Sequence, residues 1–215
     1  MLYDPAAFEP LTREQWDEAR ARDGIAAIVA DADAAFDPNE LWPAHEWDGW
    51  QAALPLKNLY IGAAGVIWAL DELRRRGLAD TTLDLSAAAL RAVERWREPD
   101  YVAGEVLPEP PESGLLTGET GILLVACRLG HPLEDDLRSR IRANLANDAE
   151  DLMWGTPGTL VAAATMGWDD LAGESADAVA SRRDADGLWT QRLWDASFRG
   201  IGTVHGLVGN VRALL

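Results

Sequence analysis

Two residues of this 215-residue chain carry groups that can exchange protons and stand at a fixed offset from a glycine pair. His205 directly precedes Gly206, which opens the stretch Gly206-Leu-Val-Gly209, and Asp151 stands four residues before Gly155, which opens Gly155-Thr-Pro-Gly158. An imidazole titrates near neutrality and can give or take a proton, while a carboxylate can orient it or accept a proton itself. Each residue also has a plainer reading: a hydrogen-bonded structural histidine, and an aspartate that caps a helix and faces its dipole. Thiol and metal chemistry have less to draw on. The single cysteine, Cys127, falls inside an apolar run six residues past Gly121, where a thiol serves as a small core residue. With one cysteine, and with His45, His131 and His205 scattered, no zinc-ligand spacing is recognisable. His45 and His131 lie in or beside loops and are expected to be solvated. Glu105, Glu109, Glu112 and Glu119 offer a carboxylate pair for glycoside hydrolysis, against which stands a simply solvated loop.

The elements that must position these groups are repeated. Gly62-Ala-Ala-Gly65, Gly118-Glu-Thr-Gly121, Gly155-Thr-Pro-Gly158 and Gly206-Leu-Val-Gly209 each follow apolar or aromatic residues and precede a helical run, with first glycines 56, 37 and 51 residues apart. A fixed unit at loose spacing predicts an array of helical hairpins. Glycine at a helix start lets backbones pass closely and permits dihedrals that other residues resist. The unpaired N–H groups of four first turns on one rim would form a concave site for a carboxylate, thiolate or oxyanion, with Gly62, Gly118, Gly155 and Gly206 as its substrate-binding backbone. Tyr60 and Trp154, just before two of these glycines, are expected either to line that cavity or to pack in the core. No copy continues as a phosphate-binding loop.

Composition sets outer limits. The formal charge of -17, from 36 acidic and 19 basic residues, argues against nucleic acid and anionic membrane as partners. No run of about 18 uncharged apolar residues and no signal peptide is apparent, and one cysteine fits a reducing compartment, so the expected location is cytoplasmic.

Along the chain, 1–58 reads as an N-terminal helix and a tryptophan-rich loop, and 59–215 as the repeats. The first helix is expected from Thr12, capped with Gln15, to about Phe36, with Gly24 kinking or ending it. The loop Asp37 to Leu56 carries Trp42, Trp47 and Trp50 and is expected to pack over the end of the array. Hairpins follow at Tyr60–Arg76 with Leu83–Arg97, Leu115–Leu129 with Leu133–Ala146, and Asp151–Met166 with Asp170–Ser181. Leu188-Trp189-Thr190 is briefly extended, and a fourth repeat helix begins near His205.

The four segments around these glycines, with an acidic residue four before the third and a histidine directly before the fourth, resemble in order the repeats of lanthionine synthetase C-like proteins, over most of the chain from Leu59 onward. The resemblance implies an all-α fold, an α/α toroid of inner and outer helices, here incomplete with about four of the inner helices. It implies zinc-assisted addition of a thiol, from a peptide cysteine or a glutathione-like molecule, to a dehydroamino acid in a peptide. His205 matches the family histidine that handles protons, and Asp151 the acidic residue near it. The family's zinc ligands, two cysteines and a histidine in later repeats, have no counterpart here, so the chain is expected to be truncated, to hold no zinc and to be inactive alone. The alternatives are a peptide-binding module or pseudoenzyme, and a carboxylate-dependent toroid glycosidase. An open edge at the fourth repeat, with Leu207, Val211 and Leu214 exposed, is expected to lead to self-association or to need a complementary chain.

Overall fold

The computed structural model describes residues 13–43, 55–96, 113–193 and 196–215. Among them the chain is predominantly helical: α1 (Glu18–Ala35), α2 (Ala63–Arg75), α3 (Leu85–Glu94), α4 (Glu119–Arg128), α5 (Glu134–Asn144), α6 (Thr156–Thr165), α7 (Asp169–Ser181) and α8 (Leu207–Leu214). Two three-residue strands, β1 (Gln191–Leu193) and β2 (Ala196–Phe198), pair antiparallel with Gln191 opposite Phe198.

The helices form two layers. The glycine-headed helices α2, α4, α6 and α8 lie side by side in chain order, and α3, α5 and α7 each pack on two successive members of that row. Helix α4 sits in the middle, so residues 120–127 are all buried, as expected of a helix that is apolar on every side. One core cluster joins α1 to α4 through Val29, Ile67, Leu85 and Ile122; a second joins α4 to α7 through Leu123, Leu137, Ile141 and Leu171.

The row is held by the loops before the glycines. Tyr60 N–H donates to the Leu116 carbonyl at 2.9 Å, Leu116 N–H to Met153 at 3.2 Å, and Leu152 N–H to Val204 at 3.0 Å, which ties four consecutive repeats together by backbone alone. The second glycine of each repeat lies against the loop before it. A Cβ at Gly121 would stand 2.8 Å from Leu59 Cβ and overlap the Leu115 carbonyl oxygen; at Gly158 it would overlap the Leu152 carbonyl oxygen and reach 3.0 Å from Leu115 Cβ. Close approach is therefore the reason for glycine. Unusual dihedrals are not: the N-cap glycines 62, 118, 155 and 206 have φ of -122°, -103°, -90° and -176°, extended backbone open to any residue.

Helix boundaries differ from the sequence reading in one consistent way. The repeat helices begin two to five residues later than their apolar patterns, because the residues before each glycine are committed to the loop-to-loop bonds. Helix α1 is capped by Asp17, whose side chain accepts from Arg20 N–H at 3.1 Å, and it runs through Gly24 unbroken; Thr12 lies outside the described residues. Trp42 is buried against Phe36 and donates to the Ala32 carbonyl at 2.7 Å, while Trp47, Trp50 and His45 also lie outside the described residues. His131 is not simply solvated: its Nε2 lies 3.0 Å from the Ser86 hydroxyl and 2.8 Å from the Ser86 carbonyl. The extended stretch near 188–190 falls just before β1. No helix among the described residues is long and apolar enough to cross a membrane.

Gly158→Ala should lower folding stability by about 1–3 kcal/mol through overpacking, whereas Gly24→Ala, with nothing within 4 Å of its added methyl, should raise it by roughly 0.5–1 kcal/mol through helix propensity. Chemical denaturation of the two variants checks both signs.

Candidate functional site

Asp151 is fully buried, and its two oxygens have separate tasks. Oδ1 accepts from the N–H groups of Met153, Trp154 and Gly155 at 3.0, 2.8 and 3.3 Å, closing the turn that leads into α6. Oδ2 accepts from His205 Nδ1 at 2.8 Å and from the Gln191 side-chain amide. The first task needs no charge. At the equivalent position four residues before Gly62, the amide oxygen of Asn58 closes the same turn, accepting from Tyr60 and Ile61 N–H at 3.0 and 2.9 Å. A carboxylate at 151 therefore supplies what an amide could not, a second acceptor bearing negative charge toward an imidazole.

His205 arrives from the fourth repeat. The Leu152 to Val204 backbone bond sets the two loops side by side, and Asn210, in the first turns of α8, donates to the Glu150 carbonyl at 2.9 Å. The imidazole stacks on the buried Trp154 ring at 5.1 Å between centroids and 23° between planes. With Nδ1 on Asp151 and one face on Trp154, the ring is oriented, and the side chain remains 40% exposed, so Nε2 is the nitrogen left for a substrate.

A second polar shell surrounds the carboxylate, and the sequence reading missed it. Gln191 on β1 bridges, donating to Asp151 and accepting from Glu150 N–H. Glu150 is buried, with Oε1 on Arg182 at 2.9 Å and Oε2 without a hydrogen-bond partner among the described residues. Burial pushes its carboxyl up to about 7, against the partial offset of the Arg182 guanidinium. Arg182 also donates to the Asn147 carbonyl and the Thr156 hydroxyl, at 3.1 and 3.2 Å. Nothing in residues 182–202 marks Gln191 as different from an exposed polar residue; only the adjacency of Glu150 to Asp151 was visible.

The structure thus brings Asp151, His205, Trp154, Gly155 and Gly206 together. Tyr60, Gly62 and Gly118 belong to the first two loops of the same row; Tyr60 is 53% exposed and the two glycines are buried. Two of the glycine-headed turns do not leave their first N–H groups open. Ala63 N–H is taken by the Leu56 carbonyl at 2.9 Å and Leu207 N–H by Gly200 at 3.0 Å, so the first turns of α2 and α8 satisfy these donors from their own loops.

Both Asp151 oxygens are occupied by N–H donors, and Cys127 is packed in the second core cluster with its thiol pushed up to about 11 by burial. Among the described residues no group of three His, Cys, Asp or Glu side chains could hold a metal ion. Of the glutamates weighed for glycoside hydrolysis, Glu119 is ion-paired with Arg140, and Glu105, Glu109 and Glu112 lie outside the described residues. Comparison with protein-family models finds no match, and comparison with curated proteins finds none either.

The raised carboxyl of Glu150 gives a pH test. A folded-state value above the unfolded one contributes stability in full below about 4.5, and that contribution is lost as pH rises through about 7. Glu150→Gln should therefore abolish a component of about 3 kcal/mol in the fall of stability between pH 5 and 8, seen as the wild-type minus variant difference in denaturation.

Proposed function

We propose that this chain is a lanthionine synthetase C-like protein, its helices forming part of an α/α toroid, and that His205 moves the proton when a thiol adds to a dehydroamino acid in a peptide. The observation that carries the reading is the Asp151–His205 pair: a buried carboxylate fixing Nδ1 at 2.8 Å while the ring's other nitrogen faces outward. The toroid is supported by the row of glycine-headed helices bonded loop to loop, with a second layer packed on it.

In the proposed step a thiolate sulfur bonds to the β-carbon of dehydroalanine or dehydrobutyrine. The double-bond electrons move onto the carbonyl, and the resulting enolate takes a proton at its α-carbon from His205 Nε2–H, the proton that Nε2 has first taken from the thiol or, for a thiol already ionised, from water. Asp151 balances the imidazolium charge through Nδ1, and Trp154 keeps the ring from rotating away. In the family a zinc ion ionises the thiol; beside His205, both Asp151 oxygens are taken by N–H donors. The partners under this reading are a dehydrated peptide and a peptide or small thiol, with thiol ionisation supplied by the thiol itself or by a complementary chain. A reducing cytoplasm is the compartment proposed.

An aryl thiol already ionised at neutral pH removes the need for metal activation. With such a thiol and a dehydroalanine peptide, thioether formation followed by mass spectrometry should be faster with the chain than without it. His205→Asn should lower the protein-dependent rate by about 10²-fold, and Asp151→Asn, which keeps an acceptor for the turn, by a smaller factor. Equal rates for wild type and His205→Asn would remove the proposal.

A further inference from the structure

Strand β1 delivers a side chain to the third loop, and that side chain is held at both ends. Gln191 is buried, with its amide oxygen accepting from Glu150 N–H and its amide nitrogen donating to Asp151 Oδ2, the oxygen that also holds His205 Nδ1. Its strand is fixed from several sides. Just before it, Trp189 is buried and donates to the Val179 carbonyl of α7 at 2.7 Å, and the Thr190 hydroxyl donates to Asp184 at 2.7 Å. Just after the hairpin, Arg199 closes on Asp184 and Asp186 at 2.8 and 2.6 Å.

The polarity of these bonds is set by backbone groups that cannot change role. Glu150 N–H can only donate, so the oxygen of the Gln191 amide must face it and the NH2 must face Asp151. The N–H groups of Met153, Trp154 and Gly155 likewise can only donate, which makes Oδ1 of Asp151 an acceptor. Neither oxygen has a place for a proton. Oδ2 accepts from Gln191 and turns its other lone pair to His205, so the imidazole side of that contact has to be Nδ1–H. Glu150, Asp151 and Gln191 are all buried, and bulk water does not relieve a reversed bond there.

We infer that Gln191 is a positioning residue for His205: its amide, turned by Glu150 N–H, keeps Oδ2 of Asp151 an acceptor and so keeps the proton of the neutral imidazole on Nδ1, with Nε2 bare. A backbone N–H of the third loop thereby chooses the tautomer of a histidine in the fourth. The consequence for chemistry rests on the reading of His205 as the group that moves the proton, because only a bare Nε2 can take one from a thiol or from water.

Exchanging the two side-chain chemistries tests it. In Asp151→Asn the three backbone donors hold the amide oxygen at the place of Oδ1, so an NH2 faces both His205 Nδ1 and the Gln191 NH2. In Gln191→Glu a second carboxylate oxygen faces Oδ2. Each single variant should therefore unfold at lower denaturant than the wild type. The double variant restores every donor–acceptor match and the net charge of the pair, so it should recover most of that loss, a coupling of about tenfold or more in the folding equilibrium constant. Its ring should nonetheless be reversed. At a pH where the ring is neutral, Nδ1 accepts from the new NH2 and the nitrogen-15 spectrum should place the proton on Nε2, while the protein-dependent rate with the aryl thiol should fall about 10²-fold. The spectrum is read without substrate, so it decides the role of Gln191 whether or not the wild type adds a thiol. A double variant whose proton stays on Nδ1, or whose loss of stability is the sum of the two single losses, overturns the inference.

Discussion

The structure depends on how closely the loop before each glycine can approach its own helix and the loop beside it. A methyl group at Gly121, Gly158 or Gly209 would collide with a carbonyl oxygen of its own loop and press on a side chain of the preceding repeat. Because these positions are bare, backbone N–H and carbonyl groups of successive loops meet at 2.9 to 3.2 Å and the helices register against one another. Such bonds are individually worth about 1 kcal/mol. Their larger effect is geometric, since they fix which residue of one loop faces which residue of the next.

That registration makes the site. Asp151 and His205 are 54 residues apart in sequence, yet each sits at a set distance from its glycine, and the Leu152 to Val204 bond turns those offsets into a 2.8 Å contact. The comparison between Asn58 and Asp151 separates architecture from chemistry within one molecule. Both side chains close the turn before a glycine with one oxygen; the carboxylate has another left over, and the imidazole and Gln191 take it. Glu150, next to it in the chain, is pushed up to about 7 by burial even with Arg182 beside it, whereas Asp151 is met by five N–H donors.

The repeat, the helical character and the pairing of an acid with a histidine were legible because glycines, histidines and helical periodicity are local signals. The helix starts were not, since apolar residues such as Leu116 and Met153 fit a helical pattern while their backbones serve the loop-to-loop bonds. In α2 and α8 the carbonyls of Leu56 and Gly200, seven residues back, take the first-turn N–H groups of Ala63 and Leu207, and no pattern in the sequence announces that return. Gln191 and Arg182 were invisible because their roles depend on where a mixed segment folds against the third loop. The glycines at helix starts were rightly singled out, but steric room and not dihedral freedom accounts for them.

The most direct measurement of the central claim is the nitrogen-15 spectrum of the His205 ring in the intact chain. At a pH where the ring is neutral, its proton should sit on Nδ1, held by Asp151, with Nε2 bare, and this preference should disappear in Asp151→Asn. A ring with its proton on Nε2, or one whose spectrum is indifferent to residue 151, would contradict it.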